Sequence, residues 1–295
     1  MRRLAPVTGT DGRHRLHLWR CGDPYFDDRR DRLGEWTCGR FSHWPNPPSG
    51  VRHLDLRSPL PFEDGVFHAA AVTRVIEHLA PEAAAGFTRE LARVLRPGAV
   101  LRISFPDLED LARSYLASIA AAAADPCEAN LLRRDWREAE LFDPLVRRRT
   151  GGRMRELMVE GRFDESDLEA RFGDVWEIFA GTPALDRPPP TALRQWLGLL
   201  RSPKRWAGFL ASPREAAAAM RARRTVDPRE TFESHEWMWD RESATALLEQ
   251  AGFRSVRPMA WNESAIEGWS RYDLDRSRSG DRHWEPAAIL ECERG

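Results

Sequence analysis

The stretch "LHLWRCGDPYFDD" (16–28) reads as a buried strand running into a tight turn, Cys21-Gly22-Asp23-Pro24. A strand that ends in a glycine turn near the start of an α/β chain is a common seat for a nucleotide or nucleoside. A backbone without Cβ lets the ligand come close. Such turns usually carry two or three glycines, and this one has a single glycine followed by Asp and Pro. A worn cofactor loop, a loop for another ligand and an ordinary turn all fit it. A second group is His235, Trp237 and Trp239, whose i, i+2, i+4 spacing on an extended stretch puts three rings on one side. They could wall a substrate pocket or pack an insertion against a sheet. Cys21, Cys38 and His43 fit no common zinc spacing, so no metal is expected. The four cysteines (Cys21, Cys38, Cys127, Cys292) form no CxxC pair and read as reduced thiols.

These groups need a scaffold, and the composition sets its kind. The chain has 295 residues, 42% hydrophobic and 31% charged, enough for a large core and a well-solvated surface. No apolar run approaches the ~20 residues that span a bilayer. The start, "MRRLAPVTGTDGRHR", lacks the apolar middle of a secretory signal, so the cytoplasm is the expected compartment. The balance of 45 Lys+Arg against 46 Asp+Glu argues against a dedicated nucleic-acid surface. Lys204 is the only lysine, so the many arginines are read as composition first. Twelve tryptophans exceed ordinary packing needs, and a stacking pocket, an interface and the core all compete for them.

Along the first half, short strand-like runs alternate with helical ones. "HRLHLWR", "VRHLDL" (51–56) and "VFHAAAVTR" (66–74) read as strands. "PEAAAGFTRELARVLRPG" reads as a helix: Pro81 suits its first turn, Glu82 complements its dipole, and Phe87, Leu91, Val94 and Leu95 recur at helical spacing. "AVLRISF" (99–105) is the next strand, after which Asp107 can cap the helix "LEDLARSYLASIA". Strands separated by helices predict a parallel, three-layer α/β sheet. Residues 126–230 are Arg-, Trp- and Ala-rich and broken by "DRPPPTA" and "RSPKRW", which predicts a helical insertion or lid. The α/β pattern resumes at "DRESATALLEQAGF", with Asp240 capping and Gly252 stopping the helix. "RSVRPMAW" and "EPAAILECER" follow as candidates for an antiparallel edge hairpin. The expected divisions are 1–125 and 231–295 for the core and 126–230 for the insertion.

The series "HLDLRSPLPFEDGVFHAAAVTRVIEHLAPEAAAGFTRELARVLRPGAVLRISFPDLEDLARSYL" resembles class I S-adenosylmethionine-dependent methyltransferases, most of all bacterial small-molecule or glycan-cluster members. "HEWMWDRESATALLEQAGFRSV" is similar to the closing helix and strand of the same group. The likeness covers about residues 14–124 and 233–293. It implies a Rossmann-like methyltransferase fold with S-adenosylmethionine as cofactor. It places Asp55 and Leu56 at the end of the third strand, reading the adenine edge. It places Glu77 and His78 near the reaction centre, with a capping or core role open for each and a general-base role open for His78. Pro106 and Asp107 would point into the same crevice, Asp107 as a catalytic group or as a helix cap.

The departures from the family pattern cluster at the cofactor site. Cys21, Gly22 and Asp23 would cradle the cofactor in a loop that usually reads "GCG" or "GxGxG", and Arg20 stands where a glycine is usual. Only Glu35 lies near where an acidic residue should meet the ribose hydroxyls. Thr73-Arg74 replaces the usual Ser, Asn or His before "VIEHL", and Phe67-His68 replaces "FD". The turn therefore reads as a degenerate cofactor loop. Three readings stay open. The first is a methyltransferase for a small molecule or glycan in bacterial secondary metabolism. The second is a related enzyme that no longer methylates and catalyses a cyclisation or elimination, with Arg20 and Arg74 neutralising an anionic group. The third is a non-catalytic subunit partnering a related enzyme; a homodimer is also compatible with the sequence.

Overall fold

In the computed structural model the described residues are 3–20, 36–41, 51–172, 228–229, 233–272, 274 and 287–295. They build a seven-stranded sheet of order β3-β2-β1-β4-β5-β7-β6. The strands are β1 (Arg15–Arg20), β2 (Thr37–Phe41), β3 (Val51–His53), β4 (Phe67–Thr73), β5 (Leu95–Pro106), β6 (Phe253–Pro258) and β7 (Ala287–Arg294). Strands β1 to β5 pair in parallel, and β7 is antiparallel to both β5 and β6. This is the mostly parallel Rossmann-like α/β fold the sequence predicts, down to the antiparallel pair at the edge.

Strand alternation sorts the side chains onto two faces. Leu16, Leu18, Ala70, Val72, Leu101, Ile103, Leu290 and Cys292 share one core. Helix α1 (Pro81–Val94) brings Phe87 and Leu91 to it, and helix α6 (Arg241–Gln250) brings Leu247 and Leu248. The intervening positions Trp19, Ala69 and Ala71 face the other way, onto Trp36, Ile266, Trp269, Tyr272 and Leu274.

Local signals explain the helix ends. Pro81 opens α1, and Asp240 caps α6 in a reciprocal pair with Ser243. Gly252 follows α6 at φ 94, a conformation that favours glycine.

Two boundaries differ from expectation. Strand β3 stops at His53, leaving Asp55 and Leu56 in the turn beyond it. Strand β5 begins at Leu95 rather than Ala99, and its register with β4 shifts between Phe67 and Ala69. Gly98, at φ 76, lies in the stretch that absorbs the irregularity. Strand β2, TCGRF, carries a glycine and an arginine and little strand signal of its own. Its glycine has a packing reason: a Cβ on Gly39 would stand 2.5 Å from Leu18 Cδ2 and 2.6 Å from Leu54 Cδ1.

After β5 come helices α2 (Leu108–Ala124), α3 (Glu128–Val146), α4 (Gly152–Glu160) and α5 (Glu165–Phe172). Trp136, Leu157, Leu168 and Phe172 form a separate small core among α3, α4 and α5. Arg171 of α5 reaches Glu140 of α3 at 2.9 Å and Asp110 of α2 at 3.1 Å. Arg137 meets Asp167 at 2.7 Å. Burial pushes the Glu140 carboxyl above its ordinary value, partly offset by Arg171 and Arg137. Of the rest of the expected insertion, 173–227 and 230 lie outside the described residues. No helix among the described residues is long and apolar enough to cross a membrane.

Candidate active site at the carboxyl edge of the sheet

Strands β1 to β5 are parallel, so their carboxyl ends share one edge. The strand order reverses direction between β1 and β4, where Trp19 pairs with Thr73. Ligands of open α/β sheets sit in the crevice at such a reversal. Arg20 is the last residue of β1. Its side chain, and all of Cys21, Gly22 and Asp23, lie outside the described residues.

Next to this crevice His17 of β1 meets Thr73 of β4. His17 is fully buried, stacks on Trp19 at 4.9 Å and sets its Nε2 3.3 Å from Thr73 Oγ1. Burial pulls its pKa down to about 3, so the imidazole is neutral at ordinary pH.

Beyond Thr73 the backbone is strained. Arg74 has φ 56, an unusual angle for a residue with a side chain, costing about 1–2 kcal/mol. Its N–H donates to Ser104 O at 2.9 Å, which ties the turn to the end of β5. Its Nε lies 3.5 Å from Glu77 Oε1. Strain of this kind persists only where neighbours hold it, and it gathers at functional sites.

The next turn, Ile76–His78, is a single 3-10 turn, and all three of its residues are buried. A strap from beyond the helical region, residues 234–239, is laced onto it. Glu236 N–H and Trp237 N–H both donate to Glu77 O, at 2.8 and 3.2 Å. Trp239 Nε1–H donates to Ile76 O at 3.2 Å, and its indole belongs to the main core. His235 N–H donates to Pro144 O at 2.7 Å, which fastens the strap to α3 as well. The His235 and His78 rings meet edge to face at 4.9 Å.

His78 Nδ1 lies 2.9 Å from Ser234 O. A carbonyl only accepts, so Nδ1 carries the hydrogen and the lone pair of the neutral ring is on Nε2. Of the three rings on the strap, Trp237 is 46% exposed and Trp239 is buried, with ring centroids 6.5 Å apart. His235 is instead turned to His78, with Nδ1 3.3 Å from Met238 Sδ.

Asp107 is committed to structure. It caps α2, accepting from Glu109 N–H and Asp110 N–H, and its other oxygen meets Arg241 at 2.8 Å. With both oxygens engaged and 4% exposure, the geometry is that of a cap and anchor rather than an acid or base. Asp55 is accessible, and its carboxylate accepts from Arg57 N–H at 3.1 Å and Arg57 Nε–H at 3.0 Å. Leu56 is buried in the main core. The structure thus brings Arg74, His78 and His235 together, with Glu77 among them. Sequence reading missed Ser234 and Arg241, which fix His78 and Asp107. They arrive from 156 and 134 residues away, and nothing local marks them.

Residues 40–103, from the end of β2 to the middle of β5, match the family model of a methyltransferase domain. No curated protein matches the chain. Among solved structures, a protein from Pyrococcus horikoshii OT3 is 21% identical over 35% of this chain and 53% of its own, with a TM-score of 0.28. An S-adenosylmethionine-dependent methyltransferase from Mesorhizobium loti is 19% identical over 35% of this chain and 50% of its own, at 0.26. A SAM-dependent methyltransferase from Archaeoglobus fulgidus is 11% identical over 96% of this chain and 86% of its own, at 0.38. The chain spans about half the length of the first two, and TM-scores this low say nothing of activity. The segment similar to a methyltransferase domain thus includes β4, which with β1 flanks the crevice of a seven-stranded, mostly parallel sheet.

Proposed function

We propose that the chain is an S-adenosylmethionine-dependent methyltransferase acting on a small molecule or glycan. The observation that carries this reading is the methyltransferase-domain match over 40–103, because the matched residues include Asp55, Arg74, Glu77 and His78. The edge fits such a cofactor. Asp55, outside β3 and accessible, offers a carboxylate to an adenine amino group, and buried Leu56 supplies a backbone amide beside it. Cys21, Gly22 and Asp23, which follow β1 in the sequence, would cradle the cofactor. When bound, S-adenosylmethionine supplies a methyl group on a sulfonium.

The residues then divide the work. His78, its tautomer set by Ser234, presents an Nε2 lone pair able to take a proton from an acceptor hydroxyl or amine. His235 and Trp237 on the strap form the wall against which a flat or sugar-like acceptor packs, with Trp239 as its anchor in the core. Arg20 and Arg74 neutralise an anionic group of the acceptor or cofactor. Residues 126–230 would be a helical insertion or lid, with 1–125 and 231–295 as the methyltransferase core. The expected setting is bacterial secondary metabolism in the cytoplasm. The enzyme would work alone, as a homodimer or beside a related subunit, without nucleic-acid or membrane partners.

The strained Arg74 favours keeping a second reading, in which the edge binds an anionic substrate and catalyses cyclisation or elimination without methyl transfer. Calorimetric titration with S-adenosylmethionine and S-adenosylhomocysteine separates the two. Micromolar binding of either is expected. No heat and no melting shift with both would sink the methyltransferase reading for the isolated chain, and leave the anion-binding enzyme or a partner-subunit role.

A further inference from the structure

The meeting of Glu77, His78 and His235 has a use beyond proton transfer. One donor atom from each lies within 4.8 Å of the other two. Glu77 and His78 are 0% and 1% exposed, and His235 is half-buried. Two imidazoles and one carboxylate around an open position are the ligand set of a catalytic divalent site, with zinc the first candidate. We propose that this cluster binds one divalent transition-metal ion.

Three features on the page argue for it. First, the histidines are oriented as ligands are. His78 donates Nδ1–H to a backbone carbonyl, the outer hydrogen bond that fixes ring and tautomer in metal-ligating histidines. His235 sets its Nδ1 3.3 Å from Met238 Sδ, a second contact that holds its ring in place beside His78. Second, the donors come from two segments that are rigidly joined. The two N–H bonds to Glu77 O and the indole bond to Ile76 O hold the strap on the turn. The site is therefore built by the fold and absent from the unfolded chain, so metal binding would stabilise the folded state. Third, the donor chemistry is selective. Two nitrogens and an oxygen suit zinc, cobalt or nickel better than magnesium or calcium, which prefer oxygen.

A tetrahedral zinc site with bonds of about 2.0–2.1 Å sets donors roughly 3.3 Å apart. The three atoms, no more than 4.8 Å apart, must therefore close by at most about 1.5 Å on binding. Arg74 stands 3.5 Å from Glu77 Oε1, so the guanidinium and the metal compete for that carboxylate.

The inference does not depend on methyl transfer. It does compete with the base role for His78, because a coordinated Nε2 takes no proton.

The test uses the full chain, stripped with a chelator and dialysed, titrated with zinc by calorimetry and with cobalt by visible absorbance. One equivalent of each is expected, with the intense visible bands of four-coordinate cobalt and a raised melting temperature with zinc. His235→Asn, at a half-buried position and expected to fold, should weaken binding at least tenfold and bleach the cobalt bands. Glu77→Gln should do the same. A far-UV spectrum and melting curve matching the wild type show that each variant has folded. Absence of zinc binding, or one equivalent bound equally well by wild type and His235→Asn, would overturn the proposal. Either result leaves the cofactor titration, done separately without metal, to judge the methyltransferase reading.

Discussion

The two faces of the sheet are covered in different ways. On one face α1 and α6 present Phe87, Leu91, Leu247 and Leu248 to aliphatic strand residues, and the helices satisfy their own backbone groups. On the other, the described cover is an irregular stretch, 259–272, that makes few backbone bonds of its own. There the sheet supplies what is missing. Buried Arg102 of β5 donates to Glu263 O at 2.8 Å, Trp261 O at 3.2 Å and Ala260 O at 3.3 Å. It pairs with Glu291 of β7 at 2.8 Å and lies 4.8 Å from the centre of the Trp269 ring. Glu291 in turn accepts from Ser264 Oγ–H and Ala265 N–H. A loop can cover a sheet face only if the face brings polar partners to it.

That contrast can be broken at its centre. Arg102→Leu should cost about 3–5 kcal/mol in urea unfolding, because Glu291, at 1% exposure, loses its cationic partner and keeps only the neutral donors Ser264 Oγ–H and Ala265 N–H. The double change with Glu291→Leu should recover part of the loss, and a cycle with no coupling would show that the pair is not what holds the loop.

A second effect comes from His17. Its folded pKa is depressed to about 3 against an ordinary 6.5, so stability is full above about 6.5. The unfolded chain binds a proton below that value while the folded chain does not, so stability falls by roughly 1.4 kcal/mol per pH unit until about pH 3. His17→Phe should flatten this acid slope, seen as urea midpoints that change less between pH 6 and 4.

On the helix-covered face, Gly39→Ala should cost about 1–3 kcal/mol by driving a methyl against Leu18 and Leu54. The smallest effect is expected at Asp240→Ala, about 1 kcal/mol, from loss of the α6 cap.

The helix-covered face is also the one most legible in the sequence. Helix α1 combines Pro81, Glu82 and a 3.6-residue apolar period, and β4 and β5 are short apolar runs on either side of it. Each signal is local and they agree. The short β2 escaped a strand reading because Gly39 and Arg40 weaken its pattern, and Gly39 is there for packing. Arg102 and Glu291 look like ordinary strand charges until the register pairs them across 189 residues.

The candidate site was half legible. The motif carrying Glu77 and His78 stands out in the chain, and so does the aromatic run around Trp237. That Ser234 would orient His78, and that His235 would turn away from the two tryptophans to meet it, depends on a strap closing over 156 residues. The loop after β1, with Cys21, Gly22 and Asp23, lies outside the described residues.

The most direct measurement of the proposed cofactor edge is hydrogen exchange by mass spectrometry with and without S-adenosylhomocysteine. The expected result is slowed exchange in peptides covering 16–24, 53–57 and 72–79, which end β1, β3 and β4, with the rest of the sheet unchanged. Exchange unaltered in all three, or protection confined to 128–172, would contradict a cofactor site at this edge.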